Sequence, residues 1–135
     1  MQDWSPGRWR VRYRAWGWAV KNYALGRLKA GAMNKTEAAY AEHLRLQQIA
    51  GAVLWYRFEG VKLRLADNTF YTPDFAVMLD NGQIEIHEVK GARAIFADDA
   101  KVKVKVAAEQ YPFPVVVAFP IPKSRGGGWE FDRYE

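Results

Sequence analysis

Between two largely apolar stretches, residues 69–79 and 83–89, lies the turn Asp80-Asn81-Gly82, and its length constrains this chain more than any other feature. In an antiparallel hairpin, opposed residues share a face, and a one-residue slip sends every side chain to the other face. A three-residue loop with Gly82 in the left-handed conformation pairs Leu79 with Gln83 and sets Asp74 opposite Glu88. Lys90, two residues on, then points the same way. A two-residue Asn81-Gly82 loop would face Asp74 to Val89 and scatter the charges unless a bulge intervened. The three-residue register also lines up Ala76, Met78, Ile84 and Ile86 with the charges, as one core-facing stripe. Charges at the end of such a stripe need compensation. A bound cation supplies it, and so does a mutual Asp-Lys-Glu salt-bridge cluster.

The chain has 135 residues, 50% hydrophobic and 26% charged, which suits one soluble domain with a single core. No apolar run approaches the roughly 20 residues that span a bilayer, so no membrane partner is expected. The absence of cysteine excludes a disulfide framework and a thiolate zinc site. Without a secretory stretch, a cytoplasmic setting is expected. A net charge of +5 and a pI near 9.5 suit a polyanionic partner.

Residues 1–33 form a basic, tryptophan-rich arm ahead of a domain at 34–135. In it Arg8, Arg10, Arg12 and Arg14 interleave with Trp9, Val11 and Tyr13. Arginines neutralise phosphate and aromatic rings stack on unpaired bases, so these four arginines are candidate nucleic-acid ligands. The same alternation also describes a strand with one buried aromatic face and one wet face.

The sequence Asn34-Lys35-Thr36-Glu37 opens a helix running to about Ile49 and stopped at Gly51. Glu37, Tyr40, Ala41, Leu44 and Gln48 share its packing face, which aims a third carboxylate inward. A capping box would use the same glutamate. Extended segments follow at 53–58 and 61–65, then a turn at Asp67-Asn68 and a strand over 69–79 bent at Pro73. Residues 101–106 alternate like a strand, yet Ala100, Val104, Ala107, Ala108 and Tyr111 fit helical spacing. Asp98 and Asp99 favour a helix start and Pro112 a stop, so a helix is expected. It joins strand 84–89 to strand 115–119 as a parallel crossover. A last strand is expected within 129–135. His87 falls on the face opposite Glu88 and reads as structural, and His43 has no evident partner. Zinc is not expected.

A helix bearing Glu37, strands bearing Pro73-Asp74 and Glu88-Val89-Lys90, then helix and strand, resemble the PD-(D/E)XK nuclease superfamily. Asn34–Tyr40, Phe70–Phe75 and His87–Gly91 are also similar to small phage and prophage proteins, with phage resolvase-like endonucleases as the nearest analogy. The resemblance covers residues 26–135. It implies an α/β fold with a mixed central β-sheet flanked by helices, a restriction-endonuclease-like core. It implies a metal-dependent DNA endonuclease of phage origin, selective for branched or single-stranded DNA, working as a homodimer by analogy. Asp74, Glu88 and the Val89 carbonyl would hold Mg²⁺, or Mn²⁺ in its place. Lys90 would be catalytic, and Glu37 a further ligand. Arg93, Lys101 and Lys105, downstream of the motif, are candidates to grip phosphates, with a solvated helix face as the alternative for the two lysines. Two other functions stay in view: a non-catalytic nucleic-acid-binding or phage assembly module on the same fold, and an RNA nuclease.

Overall fold

A computed structural model describes residues 31–135. Arg8, Arg10, Arg12 and Arg14 of the expected arm lie outside the described residues. The unit that carries the motif is Lys35–Glu135.

Helix α1 (Lys35–Ile49) ends where Gly51 adopts φ 88°, as its sequence predicts. It buries Tyr40 and Leu44, one turn apart. Strand β1 (Val53–Phe58) then runs out to Glu59, whose positive φ of 47° turns the chain. The hairpin β2 (Leu63–Ala66) and β3 (Thr69–Tyr71) closes through Asp67-Asn68, with Asn68 at φ 51°. Pro73, fully buried and without an amide hydrogen to donate, separates β3 from β4 (Phe75–Leu79). The expected bent strand over 69–79 is thus two strands, and they belong to different sheets.

Strand β5 (Ile84–Val89) returns along β4. Helix α2 (Asp98–Gln110) crosses to β6 (Val115–Pro120), and β7 (Trp129–Tyr134) closes the edge. The resulting mixed sheet has the order β1-β4-β5-β6-β7, with only β5 and β6 parallel, while β2 and β3 pair separately. The fold is therefore α/β with a mixed five-stranded sheet. Residues 101–106 are helical despite their alternation: Val104 and Ala107 are buried, whereas Val102 is exposed.

Alternation divides the sheet into two buried faces. Ala76, Ile86, Val115, Val117 and Phe119 pack with Val104 and Ala107 of α2 and with Leu63 and Tyr71 of the small hairpin. The opposite face, with Phe75 and His87, meets Tyr40 of α1. Among the described residues, no helix is long and apolar enough to cross a membrane.

Candidate active site

Turn geometry brings the motif together. Leu79 N–H donates to the Gln83 carbonyl at 2.8 Å, and Gly82 N–H to that of Leu79 at 2.9 Å, with Gly82 at φ 83°. Gln83 N–H also bonds the Asn81 side chain at 2.9 Å, locking a three-residue loop. The ladder continues as Met78↔Ile84, Ala76↔Ile86 and Phe75↔His87, so Asp74 comes opposite Glu88. This is the register expected from the turn.

Asp74 sits just beyond the β4 ladder, behind Pro73. Its carboxylate accepts the Val89 amide at 2.7 Å, tying the two strand ends together. Glu88 is 9% exposed. It accepts the Tyr71 hydroxyl at 2.8 Å on one oxygen, and Lys90 Nζ lies 3.2 Å from the other. Burial, reinforced by the charge of Glu88, pushes the Asp74 carboxyl up to about 7. The Val89 amide and Lys90 oppose that shift without cancelling it. Burial, then the Glu88 and Asp74 charges, raise the Tyr71 hydroxyl, so it stays protonated and donates.

Glu37, in the first turn of α1, is half-buried and adds to the negative field at Asp74. The start of α1 does lie beside the motif: a Cβ on Gly91 would stand 3.8 Å from Thr36 Oγ1. Among the described residues, however, no three acidic or histidine side chains converge closely enough to hold a metal by themselves. The close donor set is Asp74 and Glu88, with backbone and water to complete it. A half-buried aspartate whose ionisation the buried Glu88 opposes, with the Lys90 ammonium nearby, is a donor set of the kind a hard cation uses.

The three basic candidates downstream divide. Arg93 is engaged by β7, with Nη1 2.6 Å from Asp132 and Nε 3.2 Å from Glu130, and its guanidinium lies 4.5 Å from the Phe119 ring. Lys101 reaches over Phe96, 5.7 Å from its centroid, and Lys105 is exposed on α2. Tyr71 was not singled out by sequence. The available signal was a tyrosine three residues before the aspartate, on the inward side of a short strand.

His87 lies on the α1 face, away from Glu88, as alternation predicts. Its Nδ1 meets the Tyr40 hydroxyl at 2.6 Å, and its buried Nε2 stands 3.6 Å from Glu85, which Arg133 also binds. These groups, with His43, line a cleft of about 480 Å³ on that side. Burial, and secondarily the charge of His87, lower the pKa of His43. Compared with known proteins, the chain matches no protein-family model, no curated protein and no solved structure.

Proposed function

We propose that this protein is a metal-dependent DNA endonuclease with a PD-(D/E)XK-type site, and that Asp74, Glu88 and Lys90 carry the reaction. One observation carries the reading: Asp74 opposes Glu88 at the end of a core-facing stripe, with Lys90 Nζ 3.2 Å from Glu88. A surface salt-bridge cluster would not keep Glu88 at 9% exposure with one oxygen held by a buried tyrosine.

The carboxylates of Asp74 and Glu88, together with the Val89 carbonyl, would hold Mg²⁺ or Mn²⁺, with Glu37 reaching the ion through water. When bound, such an ion polarises a phosphoryl oxygen and lowers the pKa of a coordinated water. Near neutral pH the metal-free Asp74 retains its proton part of the time, because a second negative charge beside Glu88 is costly. Tyr71 and Lys90 hold Glu88 from two sides, so its lone pairs are oriented before a ligand arrives. The Lys90 ammonium lies beside the pair, placed to orient the attacking water and to offset charge growing on the phosphate. Lys101 and Lys105 on α2 would contact the backbone. Arg93, held by Asp132 and Glu130, would stiffen the loop after the motif.

A specific observation favours a second reading. Because no three side-chain ligands converge among the described residues, a non-catalytic nucleic-acid-binding module on this fold is the alternative. The test is cleavage of labelled single-stranded, duplex and four-way-branched DNA with Mg²⁺ or Mn²⁺, comparing wild type with Asp74→Asn and Lys90→Ala. Metal-dependent products that vanish in both variants are expected. Binding without products under every metal, DNA and RNA substrate tried would select the binding module.

A further inference from the structure

The small hairpin carries a surface that the carboxylate site does not use. Its inner face is buried: Leu63 and Tyr71, paired across the two strands, are each 6% exposed and join the core beneath α2. Its outer face presents Lys62, Arg64 and Phe70. Arg64 pairs with Phe70 across the strands, and Lys62 Nζ lies 4.5 Å from the Phe70 ring centroid. Phe70 remains 43% exposed, one of seven large hydrophobic side chains exposed on the described surface.

Two anchors make this hairpin a rigid platform. The Tyr111 hydroxyl, at the end of α2, donates to the Arg64 carbonyl at 2.6 Å. The Tyr71 hydroxyl donates to Glu88 at 2.8 Å. Phe70 therefore immediately precedes the residue that holds the site carboxylate, and lies four residues before Asp74. Asp67 faces Arg64 at 3.8 Å, with a side chain 91% exposed. So wide and hydrated a contact screens the arginine little from a phosphate.

We propose that the outer face of the β2–β3 hairpin binds an unpaired DNA strand, with Phe70 stacking on a base and Lys62 and Arg64 contacting the flanking phosphates. This deepens the nuclease reading and rests on it for the role of the bound strand as substrate. The chemistry argues for this occupant. A flat ring beside two cations offers every base a stacking surface and the backbone its counter-charge, which is the pattern of sequence-tolerant single-strand binding. Duplex DNA hides its base faces, so Phe70 has little to gain from it. An apolar protein partner would be met by a lysine and an arginine around one ring. The cation–π contact of Lys62 is exposed, hence weak enough to yield when a phosphate or a base arrives.

The full chain is titrated into a fluorescently labelled 20-nucleotide DNA in EDTA, following anisotropy, with duplex DNA and RNA of the same sequence alongside. Phe70→Ala is expected to raise Kd for the single strand by about tenfold, with Phe70→Tyr restoring it. Lys62→Ala is expected to weaken binding and to lower the slope of log Kd against log salt by about 0.7. Val102→Ala, at another exposed apolar residue, controls for general surface effects, and thermal melts confirm that every variant is folded. Unchanged binding in a folded Phe70→Ala overturns the inference, even where Asp74-dependent cleavage stands. So does a Phe70 effect confined to duplex or to RNA. Phe70-dependent single-strand binding without any cleavage would uphold the surface and overturn the nuclease reading instead.

Discussion

Replacing Asp74 with asparagine is expected to stabilise the metal-free protein, because the aspartate is held in a place that disfavours its charge. Its ordinary pKa of 3.8 rises to about 7 in the fold, through burial first and the Glu88 charge second. A carboxyl with a raised folded pKa contributes stability that is fully present below the unfolded value and lost as pH climbs through the folded one. Below pH 3.8 the group is protonated in both states and exerts no stress. Between there and about 7 the unfolded chain gives up its proton first, and stability falls. At about 1.4 kcal/mol per tenfold change in proton affinity, the full penalty above neutrality is of order 4 kcal/mol. An asparagine oxygen can still accept the Val89 amide, so the hydrogen bond at 2.7 Å survives the change. Thermal melts in EDTA at pH 4, 6 and 8 read the effect. The gain should be absent near pH 4, rise through pH 6, and reach several degrees or more at pH 8. Mg²⁺ should then stabilise wild type and leave the variant unmoved, through mass action on the folded state. A variant less stable than wild type at pH 8 in EDTA would refute the reasoning, since it would mean that the ionised aspartate is welcome where it stands.

Tyr71→Phe removes the hydroxyl that holds Glu88 and should lower Mn²⁺ affinity about 10- to 100-fold, measured by calorimetry on the folded variant. Leu44→Ala, at a site 1% exposed beneath α1, should cost about 3 kcal/mol in urea unfolding. Gly82→Ala meets no atom within 4 Å yet must adopt φ 83°, so denaturation should report a loss of about 1 kcal/mol from backbone strain. Arg93→Ala breaks an exposed ion-pair network with Glu130 and Asp132; its melting point should barely move at physiological salt, and its affinity for DNA should be unchanged.

The pairing of Asp74 with Glu88 was legible because a hairpin is local: Asp80-Asn81-Gly82 sets the register, and period-two alternation does the rest. The start and stop of α1 were equally local, through the Asn34 opening and Gly51. The lysine-valine run of α2 was decided by its flanks, Asp98 and Pro112, against its own alternation. Long-range consequences were harder to see. Nothing nearby reveals that Pro73 hands the chain from one sheet to another, since partner choice depends on strands distant in sequence. Tyr71 escaped notice for that reason, because its value comes from Glu88, 17 residues away. Arg93 reads as a candidate phosphate ligand, and the sequence nearby does not show that carboxylates on β7, 37 and 39 residues on, pair with it. The cleft beside His87 likewise depends on how far α1 covers its sheet face.

The loop at 80–82 also has a consequence for how such a gene can change. Exposed turn tips usually tolerate the gain or loss of a codon, because a longer loop costs little closure entropy. Here one added residue must either be absorbed locally as a bulge or passed down β5. In the second case Glu88 and Lys90 would swing to the side of Tyr40, and His87 would take their place opposite Asp74. Drift in this turn should therefore run through substitutions at constant length, with glycine kept at its last position.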